Sequence, residues 1–489
     1  MANYTSPDVY IETVPSGSQT ISSKSSSIGA MIGVTRSGEV GKAQLVTSWT
    51  DFVSKFANGL ESPFLATSYL PYAVYGFFAN GGSMLYVGRV ASKTAAKATK
   101  TGTNLKVTAI SEGTWGNDIK ISIAKSKDYV EPKQDAEPAE AGNLEFDVTI
   151  SLGSSDSAKV EGVFFDTIAD AILTNEKAKK WLSDVEVVAP SALSEEDITL
   201  AGGADGTSDL ADADYVDGLT MLDEYLDDIT MVAIPGVETI ATRDGVMTYC
   251  ANNKLFPIIS MPVASTDDEI RVYRKGHSCD YGALVVPWGN VTDALTNKEK
   301  PVPPEGHYMG VCSRIIESRG AFKAPAGTEA VVRGFNSMER NISKEINGIL
   351  NPLGVICIMN RPNYGLCVWG ARGLNSADTK MRYVSDHLLN IKIRKELYAG
   401  TMFAEFEPND ETLQKRCYTT CKNYLEKLRK DGALKGQGEG TAWYCICDST
   451  NNTDDTIAEG YLYIDIGYAP VKPTEFVVIR LAHSIDSAE

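Results

Sequence analysis

Nowhere in the 489 residues is there an uninterrupted apolar run of the roughly 18 residues that a membrane-spanning helix needs, so direct membrane insertion is not expected. The start, Met1-Ala2-Asn3-Tyr4, lacks the basic stretch and apolar core of a signal peptide. The chain is therefore expected to be made and held in the cytosol until something releases it. Histidine is scarce: His277, His307, His387 and His483 are scattered and give little material for acid–base chemistry. The nine cysteines form an odd set without a disulfide framework, which suits a reducing compartment. Two close pairs, Cys417 with Cys421 and Cys445 with Cys447, invite a four-thiolate zinc reading, but neither spacing fits a zinc ribbon. They are expected to be buried free thiols, with no metal.

A phosphate loop is also missing. Leu200-Ala201-Gly202-Gly203-Ala204-Asp205-Gly206 precedes a helical stretch, yet it has no lysine to reach a terminal phosphate, and the 22 residues after Ser208 contain no basic side chain. A phosphate would meet Asp205, Asp209, Asp212 and Asp214 instead, so this is a turn. Gly436-Gln437-Gly438-Glu439-Gly440 does not join a strand to a helix and is no dinucleotide loop. The acidic residues from Asp205 to Asp217 lack the ligand order of a calcium loop, and no Ser-His-Asp set or nucleophile elbow can be drawn. No cofactor is expected and the chain does not read as an enzyme.

Positive charge is short in one region. Residues 101–230 hold 28 acidic against 9 basic side chains, while the net charge of the whole chain is −18. The remainder is close to neutral. Nucleic acid is not expected as a partner, because phosphate neutralisation needs clustered Lys and Arg. A solvated outer face is the simpler use of such a field.

What is present is an ordinary globular composition, 43% hydrophobic and 22% charged, at a length that suits about three domains. Pattern and turn signals place a buried strand at 28–34, helices at Trp49–Phe56 and Leu65–Asn80, and a strand at 84–90. Residues 93–200 read as a β-rich module with a helix over Thr167–Leu182. From 214 onward helices and strands alternate, which indicates a parallel α/β sheet. Residues 302–354 read as loop-rich, then come a hairpin around 355–369, helices near 379–398 and 410–430, and strands at 442–447 and 461–466.

Two further features look outward. Pro7-Asp8-Val9-Tyr10-Ile11-Glu12-Thr13-Val14-Pro15 and Thr474-Glu475-Phe476-Val477-Val478-Ile479-Arg480-Leu481, the latter following Pro473, are short β-type runs whose prolines confine them to sheet edges or to a sheet on another chain. Pairing inside their own domain is the alternative. The helix near 410–430 is expected to be capped by Asn409, to bury Leu413, Cys417, Cys421, Tyr424 and Leu428, and to line Lys415, Lys422 and Arg429 along another face. Between 411 and 435 there are seven basic and three acidic residues, which reads either as a solvated face or as a surface for an acidic partner.

Taken in order, several segments resemble the contractile tail sheath family of bacteriophages, R-type bacteriocins and related injection machines. They include Pro7-Asp8-Val9-Tyr10-Ile11-Glu12, Phe77-Phe78-Ala79-Asn80-Gly81-Gly82, Leu200–Gly206, Val232-Ala233-Ile234-Pro235-Gly236, Phe406-Glu407-Pro408-Asn409-Asp410 and Ile466-Gly467-Tyr468-Ala469-Pro470. One departure is Gly373, where the family usually carries Thr. The resemblance implies a mixed α/β and α+β multidomain chain. Its parts would be an N-terminal arm (1–22), an inner core (23–92 with 345–470), an inserted outer module (101–198), a middle α/β domain (199–344) and a C-terminal arm (471–489).

It also implies a function: arms around Val9, Tyr10, Ile11, Glu12 and Phe476, Val477, Val478, Ile479 would add strands to neighbouring copies. The copies would form stacked rings of a helical sleeve around an inner tube, and Lys415, Lys422 and Arg429 are the candidates to face that tube. Baseplate and tail terminator proteins would be further partners. The particle would be a virion tail or a bacteriocin, assembled in the bacterial host cytoplasm. Rival readings are a nucleotide-using α/β enzyme, against which the missing lysine argues, and a tube or baseplate component, against which the length and the two arms argue.

Overall fold

The computed structural model describes residues 21, 27–57, 62–130, 144–153, 156–188, 193–207, 209–277, 279 and 281–479. The chain divides into two compact units, Ser25–Leu388 with Glu475–Glu489, and Met1–Lys24 with Leu389–Thr474.

The larger unit is built on an eight-stranded sheet. In spatial order its strands are Gly365–Val368, Val355–Arg361, Ala283–Val286, Phe256–Ser260, Met231–Ala233, Gly29–Gly33, Leu85–Arg89 and Ala43–Val46. The six inner strands pair in parallel and the two outermost pair antiparallel. Strands such as Gly29–Gly33, Phe256–Ser260 and Ala283–Val286 are buried throughout, as parallel strands covered on both faces must be. The alternation read from 214 onward is present in this sheet. One of its inner strands, however, is Gly29–Gly33, paired in register with Met231–Ala233. The division expected at 92 and 199 is therefore crossed by direct strand pairing, which the long insertion between the two segments hides from a local pattern.

Residues 302–354, expected as loop-rich, contain the helix Glu305–Arg319. It is buried from Glu305 through Ser313 without a break, so it has no polar stripe and no amphipathic period to read. Glycine explains how it fits. A Cβ on Gly306 would lie 2.2 Å from the Ala73 carbonyl oxygen, and one on Gly310 would lie 2.4 Å from that of Phe77, so this helix and the helix Leu70–Ala79 meet backbone to backbone.

The inserted module has its own core, including Trp115, Phe146 and Trp181, between a four-stranded and a three-stranded antiparallel sheet. Its helix is shorter than expected, Ile168–Thr174, because the Asn175 side chain accepts from the Lys177 and Ala178 amides and turns the chain toward the strand Leu182–Val187. The module is closed at its base by Leu200–Gly206. Ala96 bridges to Ala204 and Thr99 to Ala201, while Asp205 accepts from the Thr114 amide and hydroxyl, both at 2.8 Å. Gly202 and Gly206 take left-handed φ of 80° and 59°, which a side chain would strain. The turn reading of this segment holds, and its job is to tie the module's two ends together.

The smaller unit contains the helix Glu411–Lys430 packed with the antiparallel pair Trp443–Ile446 and Asp465–Tyr468. The second of these strands lies further along the chain than the expected 461–466.

Candidate interaction surfaces

The helix Glu411–Lys430 buries Leu413, Cys417, Cys421, Tyr424 and Leu428, together with Leu425. Its cap is Asp410, whose carboxylate accepts from the Leu413 amide at 2.8 Å, and not Asn409. Asn409 is occupied elsewhere, donating to the Tyr461 carbonyl at 2.9 Å and accepting from Gln414. On the buried side the Tyr424 hydroxyl donates to Glu396 at 2.7 Å, and Lys392 pairs with the same carboxylate.

Lys415, Lys422 and Arg429 recur every seven residues and so share one side of the helix. Each also has an acidic neighbour. Lys415 pairs with Glu411 at 2.5 Å, and Lys422 lies 3.9 Å from Glu439. Arg429 grips Glu426 through Nε and Nη2, and the Trp443 indole donates to the same carboxylate. The Arg429 guanidinium holds Glu426 down to about 2, ahead of the smaller help from Trp443. The lysine side chains are 72% and 46% exposed and Arg429 only 26%. Two of the three are therefore presented to solvent, while the third braces the helix against the strand Trp443–Ile446. Glu439, outside the window counted in the sequence, removes part of the local positive excess.

The same helix brings thiols together. Cys417 packs with Cys447 in one buried cluster, Cys421 interacts with Cys445, and all four are buried. All nine cysteines are free. Among the described residues no group of three or more His, Cys, Asp or Glu is arranged to hold a metal ion. No helix among them is long and apolar enough to cross a membrane.

At the C-terminal side, the chain leaves the strand Asp465–Tyr468 beside residues 433–435, with the Lys435 amide donating to Ala469 and the Val471 amide to Ala433. Glu475 is a fixed point of the larger unit. It accepts from Arg372 at 2.7 and 3.0 Å and from Asn351 and Tyr383 at 3.3 Å, with only 11% of its side chain exposed. Burial works against its charge, but the bonds from Arg372 and Asn351 outweigh burial and hold the carboxyl below its ordinary range. Phe476, Val477, Val478 and Ile479 follow at 72%, 80%, 77% and 78% exposure, with no strand assigned to them. Val9, Tyr10, Ile11 and Glu12 lie outside the described residues. The sequence reading missed the Glu475 anchor, for which the available signal was a lone acid at the head of an apolar run.

Gly373 has a steric reason to lack a side chain: a Cβ there would lie 2.9 Å from the Gly282 carbonyl oxygen.

Residues 377–483 match the family model of the phage tail sheath C-terminal domain. The tail sheath protein of Escherichia phage P2 is 22% identical over 259 residues, which cover 51% of this chain and 62% of that protein. A putative prophage major tail sheath protein of Pseudomonas aeruginosa (strain UCBPP-PA14) is 24% identical over 43% of this chain and 53% of its own. The chain thus spans less than two thirds of the length of these relatives. Among solved structures, the contracted sheath complex of the extracellular contractile injection system PVC matches 99% of both chains at 19% identity and a TM-score of 0.61. The sheath tail protein of Listeria innocua matches 92% of this chain and 96% of its own at 13% identity and a TM-score of 0.64. Residues 377–483 therefore resemble the C-terminal domain of phage tail sheath proteins, about half of the chain is similar in sequence to curated tail sheath proteins, and nearly all of it shares the fold of solved sheath proteins.

Proposed function

We propose that the chain is the structural subunit of a contractile tail sheath, which polymerises helically around an inner tube and contracts to drive that tube through a target cell envelope. The observation that carries this reading is Phe476–Ile479, four consecutive apolar residues in water just beyond a buried ion pair. A run of this kind gains by joining the sheet of another copy, and repeated head-to-tail addition makes an open helix and not a closed ring pair. Roughly six backbone hydrogen bonds at about 1 kcal/mol net each must offset the ordering of the strand, so a single joint is modest and the array supplies the strength.

In this reading the arms 1–22 and 471–489 link copies, and the inserted module faces outward with its acidic surplus. Lys415 and Lys422 face the tube, where screened pairs of about 0–1 kcal/mol each, repeated over many copies, grip without locking. Baseplate and terminator proteins bound the sleeve, in a virion tail or a bacteriocin assembled in the bacterial cytoplasm. The extended sleeve is a kinetic trap that gains interface between rigid bodies on contraction, and no nucleotide is consumed.

Electron microscopy of the full chain with and without its cognate tube tests this. Hollow sleeves are expected alone, and tubes coated at uniform length when tube is present; dispersed particles or short rings overturn the reading. Lys415→Glu with Lys422→Glu should leave sleeves intact and abolish coating of tubes. Normal coating by that double variant means that the tube contact lies elsewhere.

A further inference from the structure

Cys417 and Cys421 stand four residues apart on the buried face of the helix Glu411–Lys430, about 6 Å along its axis. Cys445 and Cys447 stand two apart on one face of the chain at the strand Trp443–Ile446, about 6.6 Å. The helix packs on this strand with Cys417 and Cys447 in one buried cluster, and the near-equal spacings then place Cys421 beside Cys445, so that the four thiols form two rungs with the helix and the strand running in opposite directions. Packing alone does not call for this: any small hydrophobe fills such positions, yet four of the nine cysteines converge here from a short stretch of sequence. Close as they are, the four thiols are not arranged to hold a metal ion, and no other group among the described residues is.

We propose that the two rungs are a modification site at which a hydroperoxide closes the disulfides Cys417–Cys447 and Cys421–Cys445, stapling the helix to the strand. The atom balance is the same whichever sulfur of a rung attacks, and is written with Cys417 and Cys445 as the nucleophiles. The Cys417 thiolate attacks one peroxide oxygen and the O–O bond breaks. This leaves a sulfenic acid on Cys417 and a hydroxide that takes up a proton as water. The Cys447 sulfur then attacks the Cys417 sulfur, the S–O bond breaks, and the oxygen leaves as a second water. Two thiols lose two electrons and one peroxide gains them. The second rung follows the same course from Cys445 and Cys421. Such chemistry is silent in a reducing cytosol and available to a particle outside it. It does not depend on the sheath reading.

The test is to treat the native full-length chain with a small excess of hydrogen peroxide and unfold it without reductant. Free thiols are then alkylated and the peptides mapped by mass spectrometry. The expected result is alkylation of the other five cysteines only, with the two predicted cross-links and a loss of four hydrogen atoms. The urea midpoint should rise and return with dithiothreitol. Cys417→Ser should lose the first cross-link, keep the second and leave Cys447 alkylated. Alkylation of all nine thiols in the treated wild type overturns the proposal, as do other pairings, sulfonic acids in place of disulfides, or stoichiometric zinc in the untreated protein.

Discussion

Glu305 is 3% exposed, with the Ser260 hydroxyl donating to it at 2.6 Å. Burial raises its carboxyl to about 7, against the smaller opposing pull of that bond and of Arg243. His307, stacked on Phe335 with ring centroids 3.8 Å apart, is driven the other way, to about 3, by burial alone. Between pH 4.5 and 7 the native state holds a proton on Glu305 that the unfolded chain has released, so stability falls as pH rises through that window. Between pH 3 and 6.5 the unfolded chain protonates the imidazole that the native state keeps neutral, so stability falls as pH drops. The two slopes oppose each other where they overlap. A variant separates them: Glu305→Gln should exceed the wild type by about 1–3 kcal/mol at pH 8 and differ little at pH 5, measured by urea unfolding. Equal effects at both pH values would mean that ionisation of this carboxyl is not what matters.

At the level of elements, the contact between the helices Leu70–Ala79 and Glu305–Arg319 is set by missing side chains. Gly306→Ala should cost about 1–3 kcal/mol in urea unfolding, since the facing atoms are backbone and cannot swing away. Gly348, exposed on the helix Lys344–Leu350 with open space around its Cβ position, should instead gain up to about 1 kcal/mol on mutation to Ala. This same contact marks where the sequence stopped being legible. Helices with one apolar face and clear end signals, Trp49–Phe56 and Glu411–Lys430 among them, stood out in the pattern. Glu305–Arg319, buried without a break from Glu305 through Ser313, did not. At the surfaces, the apolar run after Pro473 and the basic face were legible, because exposure and periodicity are local. The Glu475 anchor, the Asp410 cap and the carboxylates beside Lys422 and Arg429 depend on partners and rotamers that no spacing records. The anchor also fixes where a truncation belongs. Ending the chain after Glu475 should leave the thermal midpoint unchanged and abolish sleeves. Ending it after Pro470 should lower stability by ~1–3 kcal/mol, because Arg372 loses the carboxylate that it grips through two nitrogens. Normal sleeves from the first truncation would remove the C-terminal run from any role in linkage.

For the whole molecule, the inserted module is the part that can be judged apart from the sheet. Replacing residues 97–203 by Gly-Gly would join the bridged pair Ala96 and Ala204 through a two-residue turn. The sheet should still unfold in one cooperative transition. Its midpoint should fall, because buried Arg89 loses the Glu112 carbonyl that it bonds at 2.9 Å. Loss of any cooperative transition on calorimetry would show that the module is part of the sheet's fold. The paired ends have a wider consequence. Because the chain leaves and returns at neighbouring positions about 5 Å apart, the sheet senses only that the two ends meet. The fold behaves there as a socket, and a guest domain with adjacent termini can be grafted or exchanged without renegotiating a single strand register.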